Sequence, residues 1–147
     1  MVAFGPVLHI VGLLMSIMAV AMLVPAGVDL AVGNPDWEVF TGASALSLFI
    51  GVSLMLTTNS PSVSTLSLRQ AFLLTTLSWF TIATVAALPF AFSQLDMTVA
   101  DAFFESMSGV TTTGSTVIVG LDHAPPGILL WRAILQWLGG VGIIVMA

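Results

Sequence analysis

The chain has 147 residues, of which 58% are apolar and 6% are charged. A soluble domain carries about 25% charged residues, so this chain cannot cover a water-facing surface, and it is predicted to be an all-α integral membrane protein. The net charge of −5 with two basic residues argues against nucleic-acid binding, and the lack of cysteine excludes disulfides, thiolate metal sites and cysteine nucleophiles.

The first apolar run covers residues 7–24 and is either a cleaved signal peptide or a retained transmembrane helix. No basic residue precedes it, and it is longer than the 7 to 15 residues of a typical signal core. Both features favour a retained helix. Pro25 and Gly27 are predicted to end this helix, because both residues are helix breakers, and an outer loop is expected over residues 25–38.

Three further apolar runs follow, at residues 39–56, 71–92 and 128–147. Each is long enough to cross a bilayer, which takes about 20 residues. The sequence therefore predicts two preliminary transmembrane helices within residues 1–69. Residues 70–147 are predicted to form a repeat of helix, re-entrant loop and helix. The last run is still apolar at Ala147, which favours a truncated chain.

The stretch at 93–126 is too polar to span a membrane and too apolar for an ordinary loop. Thr98 and Asp101 have the spacing of a capping box, in which each side chain bonds the backbone of the other residue. A helix is therefore predicted at 99–109. At 1.5 Å per residue it would reach about 15 Å, half of a bilayer, so we expect a re-entrant half-helix.

A polar segment at membrane depth is expected directly after this half-helix. It consists of Thr111, Thr112, Thr113, Gly114, Ser115 and Thr116. Non-helical backbone is tolerated at that depth only where protein buries it or where it lines a water-filled cavity. The partially negative end of the half-helix would favour a cation, and Gly114 permits backbone angles that its β-branched neighbours are expected to avoid. A threonine-rich interfacial turn is the alternative.

Two opposite charges fall at similar predicted depths. Glu105 lies about six residues into the half-helix and Arg132 about five residues into the last span, so a buried ion pair is one hypothesis. In the alternative, Arg132 extends to the outer interface while Glu105 faces a vestibule. The predicted depths of the two residues favour neither hypothesis over the other.

Three motifs make the chain similar to a known family. They are DAFFES at 101–106, TTTG at 111–114 and QWLGGVGII at 136–144. VGLLM at 11–15, an inner loop with Arg69 and ALPF at 87–90 extend the similarity over essentially the whole chain. The chain resembles TrkH-type membrane subunits of the Trk/Ktr/HKT superfamily of potassium transporters.

This resemblance implies four linked repeats around one K⁺ path, of which this chain contains one, so the remaining three repeats are expected elsewhere. It assigns the first filter region to Thr111, Thr112, Thr113, Gly114 and Ser115. It also implies a homodimer in the cytoplasmic membrane of a prokaryote and a cytoplasmic nucleotide-binding regulatory subunit, TrkA. K⁺ is the expected transported ion, and no cofactor is expected. Thr98, Asp101, Glu105 and Arg132 are expected to support the filter structurally.

The few charges predict the orientation. With the N-terminus inside, Arg69 lies in a cytoplasmic loop and all seven acidic residues lie on the outer side, as the positive-inside rule favours. Two other functions remain open. Ser44 loosely fits the motif of an intramembrane serine hydrolase but lacks a nearby base. A structural or assembly subunit without its own conduction path is the second alternative.

Overall fold

The computed structural model describes residues 4–58 and 67–146, with side chains described up to Gly142. Within these residues the fold is all-helical. Its elements are α1 (Gly5–Val32), α2 (Asp36–Thr57), α3 (Leu68–Phe92), α4 (Val99–Val110), a 3₁₀ turn (Leu121–His123) and α5 (Pro126–Met146). Helices α1, α2 and α3 are each long and apolar enough to cross a membrane. The predicted helical membrane architecture is therefore confirmed.

Helix α1 does not end at Pro25, so the predicted helix end and the predicted outer loop at 25–38 are wrong. Pro25 lies inside the helix and is buried, and the helix continues to Val32. Proline removes one helix hydrogen bond, which an apolar helix with neighbouring helices can tolerate. Gly33 closes the helix instead, with a left-handed φ of 74° and an N–H bonded to the Leu30 carbonyl.

The other helices begin earlier than the apolar runs indicated. Helix α2 starts at Asp36 rather than at residue 39, and α5 starts at Pro126 rather than at 128. Helix α3 starts at Leu68, because Ser67 and Gln70 form a capping box ahead of the apolar run. Polar residues that cap or open a helix extend it beyond its apolar part. Residues 59–66, which connect α2 and α3, lie outside the described residues.

Helices α1 and α2 pack closely because glycine leaves room where they cross. A Cβ added at Gly12 would lie 2.6 Å from the Gly51 carbonyl oxygen, and one at Gly51 would lie 2.6 Å from Ser16 Oγ. The Ser44 hydroxyl donates a buried hydrogen bond of 2.6 Å to the Ala19 carbonyl. Small residues and interhelical hydrogen bonds are the usual means of packing membrane helices.

The N-terminal half of α5 is fixed against α2 and α3 by a buried aromatic residue. Trp131 is fully buried, and its indole N–H donates a 3.1 Å hydrogen bond to the Ala86 carbonyl of α3. Its ring meets that of Phe40 edge-on, with centroids 6.2 Å apart. The residue after it, Arg132, is thereby held at a defined position facing α4.

The close crossing of α1 and α2 gives a stability prediction. Gly12→Ala should destabilise the fold by about 1 to 3 kcal/mol, the usual cost of overpacking, and should lower the melting temperature in detergent. Gly27→Ala is the matched control in the same helix, because a Cβ there has no neighbour within 4 Å. It should leave the melting temperature unchanged or raise it. An equal change in melting temperature for the two substitutions would contradict the close contact of α1 and α2 at Gly12.

Candidate functional site

Helix α4 begins at the capping box that the sequence predicted. Thr98 Oγ1 accepts a 3.2 Å hydrogen bond from the Asp101 N–H, and the Asp101 carboxylate accepts hydrogen bonds from the Thr98 N–H and hydroxyl at 3.4 and 2.6 Å. The helix then runs from Val99 to Val110, one residue beyond the predicted end. At 1.5 Å per residue its 12 residues span about 18 Å, well short of the 30 Å core of a bilayer.

The C-terminal end of α4 lies deep between α3 and α5. Ser106 Oγ donates a buried 2.7 Å hydrogen bond to the Ala83 carbonyl of α3. A Cβ on Gly139 of α5 would overlap the Val110 carbonyl. Gly139 lies about 20 Å along α5 from its first residue, so α4 ends near the middle of the bundle. Gly139 thus permits close packing of α5 against the end of α4.

The chain leaves α4 through a Schellman turn with a threonine at the left-handed position. Thr112 has a φ of 58°, its N–H bonds the Gly109 carbonyl at 3.0 Å, and the Thr113 N–H bonds the Ser108 carbonyl at 3.0 Å. Glycine usually occupies this position. The expectation that the β-branched residues avoid such angles is therefore wrong for Thr112. Two backbone hydrogen bonds offset a conformation that costs about 1 to 3 kcal/mol.

Beyond this turn the backbone presents carbonyl groups without hydrogen-bond partners. Gly114 again has a left-handed φ, of 79°, and the Ser115 carbonyl accepts a 2.7 Å bond from Ser108 Oγ. Within residues 4–58 and 67–146, no hydrogen bond reaches the carbonyl oxygens of Thr112, Thr113 or Gly114. Such oxygens can replace the hydration shell of a cation.

The Glu105 carboxylate connects this segment to α4 and α5. Glu105 is 1% exposed. Its Oε2 accepts hydrogen bonds of 3.0 Å from Thr116 Oγ1 and from the Val117 N–H, and its Oε1 forms an ion pair with Nε of Arg132. The structure therefore brings Glu105 and Arg132 together. Both carboxylate oxygens have partners, as a buried charge requires.

Comparison with known proteins decides the family. The TrkH family, described as cation transport protein, matches residues 37–147. This chain belongs to the TrkH family. The resemblance noted in the sequence is thereby confirmed. The Schellman turn after α4 lies within the matched region.

Relatives of the TrkH family match almost the whole chain. The Trk system potassium uptake protein TrkH of Escherichia coli K12 is 43% identical over 145 residues, which are 98% of this chain and 30% of the relative. TrkI of Halomonas elongata is 40% identical over 97% of this chain and 29% of the relative. The chain thus spans about 30% of the length of these curated relatives.

A solved member of the TrkH family has the same fold over this region. The crystal structure of the potassium transporter TrkH from Vibrio parahaemolyticus superposes with a TM-score of 0.92 at 40% sequence identity. The match covers 98% of this chain and 31% of that chain. The helix order described above is therefore that of a TrkH protein.

Ser44 does not occupy a catalytic setting. Its hydroxyl is buried and donates to the Ala19 carbonyl in the α1–α2 contact. Within the described residues, neither His9 nor His123 forms a hydrogen bond with it. The relatives from Escherichia coli and Vibrio parahaemolyticus are named for potassium uptake and potassium transport, and the hydrolase alternative receives no support.

Three contacts of the site were not foreseen in the sequence. Thr116 and the Val117 N–H meet the Glu105 carboxylate across separations of eleven and twelve residues, and Ser108 meets the Ser115 carbonyl. No periodic pattern links these positions, because the chain between them reverses direction. The one available signal was the charge of Glu105 in a helix predicted to lie within the membrane, where an ionised group requires partners.

The buried ion pair generates a stability prediction. Glu105→Gln or Arg132→Gln alone should destabilise by about 3 to 5 kcal/mol, because each leaves a charge without its partner, and the double variant should lose less than the sum of the two. Folded yield and melting temperature in detergent measure this. Simple additivity of the two substitutions would contradict a coupled pair.

Proposed function

We propose that this chain supplies one of the pore loops of a K⁺-selective conduction path. The single observation that carries this proposal is the row of carbonyls without hydrogen-bond partners at Thr112, Thr113 and Gly114, held at the end of a half-length helix. K⁺ loses part of its water and binds carbonyl oxygens in such a filter. Thr111 and Ser115 complete the proposed filter region at its two ends.

The half-helix α4 supports this function electrostatically. Its C-terminal end is partially negative because the peptide dipoles align along the helix. That end lies near the middle of the bundle, where the desolvation of a cation costs most. We infer that α4 enters the membrane and stops there, and that the segment after Val110 returns as the other half of a re-entrant loop.

One loop cannot surround an ion, so further loops are required. We propose that three more pore-loop repeats complete the path, which agrees with the roughly threefold greater length of the curated relatives. Residues 1–69 would then be two preliminary helices and residues 70–147 the first repeat. Transport by this assembly involves K⁺ and the bilayer, with no covalent step and no cofactor from this chain.

The resemblance supports a location and an assembly for the whole protein. We propose the cytoplasmic membrane of a prokaryote, with the N-terminus inside, so that Arg69 is cytoplasmic and the acidic residues lie outside. We further propose a homodimer that binds a cytoplasmic nucleotide-binding subunit of the TrkA type. The relatives are named as proteins of a Trk system, in agreement with a protein that works with others.

The function is tested by complementation. The complete gene, expressed in a bacterial strain that lacks K⁺ uptake, should restore growth at low external K⁺ and should raise the initial rate of K⁺ uptake above that of the empty vector. Normal membrane abundance without any uptake would refute conduction and would favour the alternative, a structural or assembly subunit.

The filter assignment is tested at Gly114. Gly114→Ser should lower the preference for K⁺ over Na⁺, because a side chain at a left-handed φ disturbs the carbonyl positions. Gly120→Ser is the matched control, since Gly120 also has a left-handed φ, of 72°, and open surroundings but lies beyond the filter. Uptake of both ions is compared at equal membrane abundance.

The two glycines should behave differently in this comparison. A fall in K⁺ preference confined to Gly114→Ser supports the filter. Unchanged preference in Gly114→Ser, or an equal fall in both variants, would overturn the assignment.

A further inference from the structure

Asp29 of α1 contacts the first turn of α5, 98 residues later in the chain. The Asp29 side chain is fully buried, and its Oδ1 accepts a 2.7 Å hydrogen bond from the Gly127 N–H. A Cβ added at Gly127 would overlap the carboxylate. The contact therefore requires both an acceptor at residue 29 and the absence of a side chain at residue 127.

Helix α5 needs an external acceptor at this end. Its first backbone hydrogen bond runs from the Leu129 N–H to the Pro125 carbonyl, at 3.1 Å. Pro126 has no N–H, so the first free donor of the helix is that of Gly127. Helix N-termini carry partial positive charge and favour a carboxylate there. Asp29 thus acts as an N-cap supplied by a different helix.

The same stretch of α5 carries Arg132. Gly127 and Arg132 are about 7.5 Å apart along the helix axis, one and a half turns. The Trp131 indole fixes α5 to α3 through the Ala86 carbonyl. Trp131 and, further along, Gly139 fix the middle and later part of α5 against α3 and α4. Asp29 adds a contact at the first turn, on the other side of Arg132, so that Arg132 lies between two fixed points of the helix.

We infer that Asp29 is a positioning residue for the filter, acting through α5. It holds the outer end of α5 so that Arg132 meets the Glu105 carboxylate, which in turn binds Thr116 and the Val117 N–H. The inference rests on the proposed function of the Thr112–Gly114 carbonyls. Through Asp29, helix α1 influences ion preference although it contributes no residue to the filter region.

The chain offers a matched control in Asp36 of α2. Asp36 is also buried, at 2% exposure, and also accepts a hydrogen bond from a distant backbone N–H, that of Gln94, at 3.3 Å. Each of the two aspartates has a second carboxylate oxygen with no partner among the described residues. They differ in what they hold: Asp36 holds the turn that follows α3, and Asp29 holds the start of α5.

The test compares K⁺ and Na⁺ uptake by the product of the complete gene at equal membrane abundance. Asp29→Ala should lower the K⁺ preference by between about twofold and about thirtyfold, the range typical of residues coupled to a distant site. Asp29→Asn retains an oxygen that can accept the hydrogen bond from the Gly127 N–H, so its K⁺ preference should be close to that of the unmodified protein. Asp36→Ala should reduce abundance without changing the preference.

Gly127→Ala provides an independent variant should Asp29→Ala fail to fold. Its Cβ displaces the carboxylate while Asp29 itself is retained, and the K⁺ preference should fall as in Asp29→Ala. An unchanged preference in both Asp29→Ala and Gly127→Ala would overturn the inference. An equal loss of preference in Asp36→Ala would also overturn it, because the effect would then be a general loss of packing.

A second measurement separates this inference from the proposed function. The non-additivity of Glu105→Gln and Arg132→Gln in melting temperature needs no transport, and it should shrink when both are measured in the Asp29→Ala background. Undiminished non-additivity would refute the positioning role even if K⁺ uptake is established. Loss of non-additivity in a protein without any K⁺ uptake would refute the proposed function and retain the link between Asp29 and the ion pair.

Discussion

The buried carboxylate of Glu105 is the contact on which the rest of the site depends. A charge in the interior of a membrane bundle costs several kcal/mol unless paired and hydrogen-bonded. Here one oxygen pairs with Arg132 and the other accepts from Thr116 and the Val117 N–H. Because these partners come from α5 and from the segment after α4, satisfying this single charge fixes three parts of the chain relative to one another.

The second constraint is that the helix backbones must approach each other closely, although no hydrophobic effect drives helices together within a bilayer. Lipid is as apolar as the helix surfaces, so membrane helices associate through packing of small residues and through hydrogen bonds. Gly12 and Gly51 allow α1 and α2 to pack closely, and Gly139 allows α5 to pack closely against the end of α4. The Ser106 hydroxyl, bonded to the Ala83 carbonyl, adds a polar contact that fixes the depth of α4.

Local chemistry explains where sequence reasoning succeeded and where it failed. The cap at Thr98 was predictable because Asp101 lies at the required spacing and both partners are local. The end of α1 was not, because the helix-breaking tendency of Pro25 is a local preference and tertiary packing around a buried proline overrode it. The left-handed Thr112 was missed for a different reason: local hydrogen bonds to the Gly109 and Ser108 carbonyls offset the steric cost of its conformation.

The amino-acid sequence was sufficient to predict the helical membrane class, the approximate spans, the short capped helix and the polar segment after it, because apolar run length and capping spacing are properties of contiguous residues. It left the pairing of Glu105 with Arg132 open, since depth alone does not show which way two helices face. That pairing and the bond from Gly127 to Asp29 became visible in the folded structure. Both contacts join residues far apart in the chain, whose proximity depends on how all the helices pack at once.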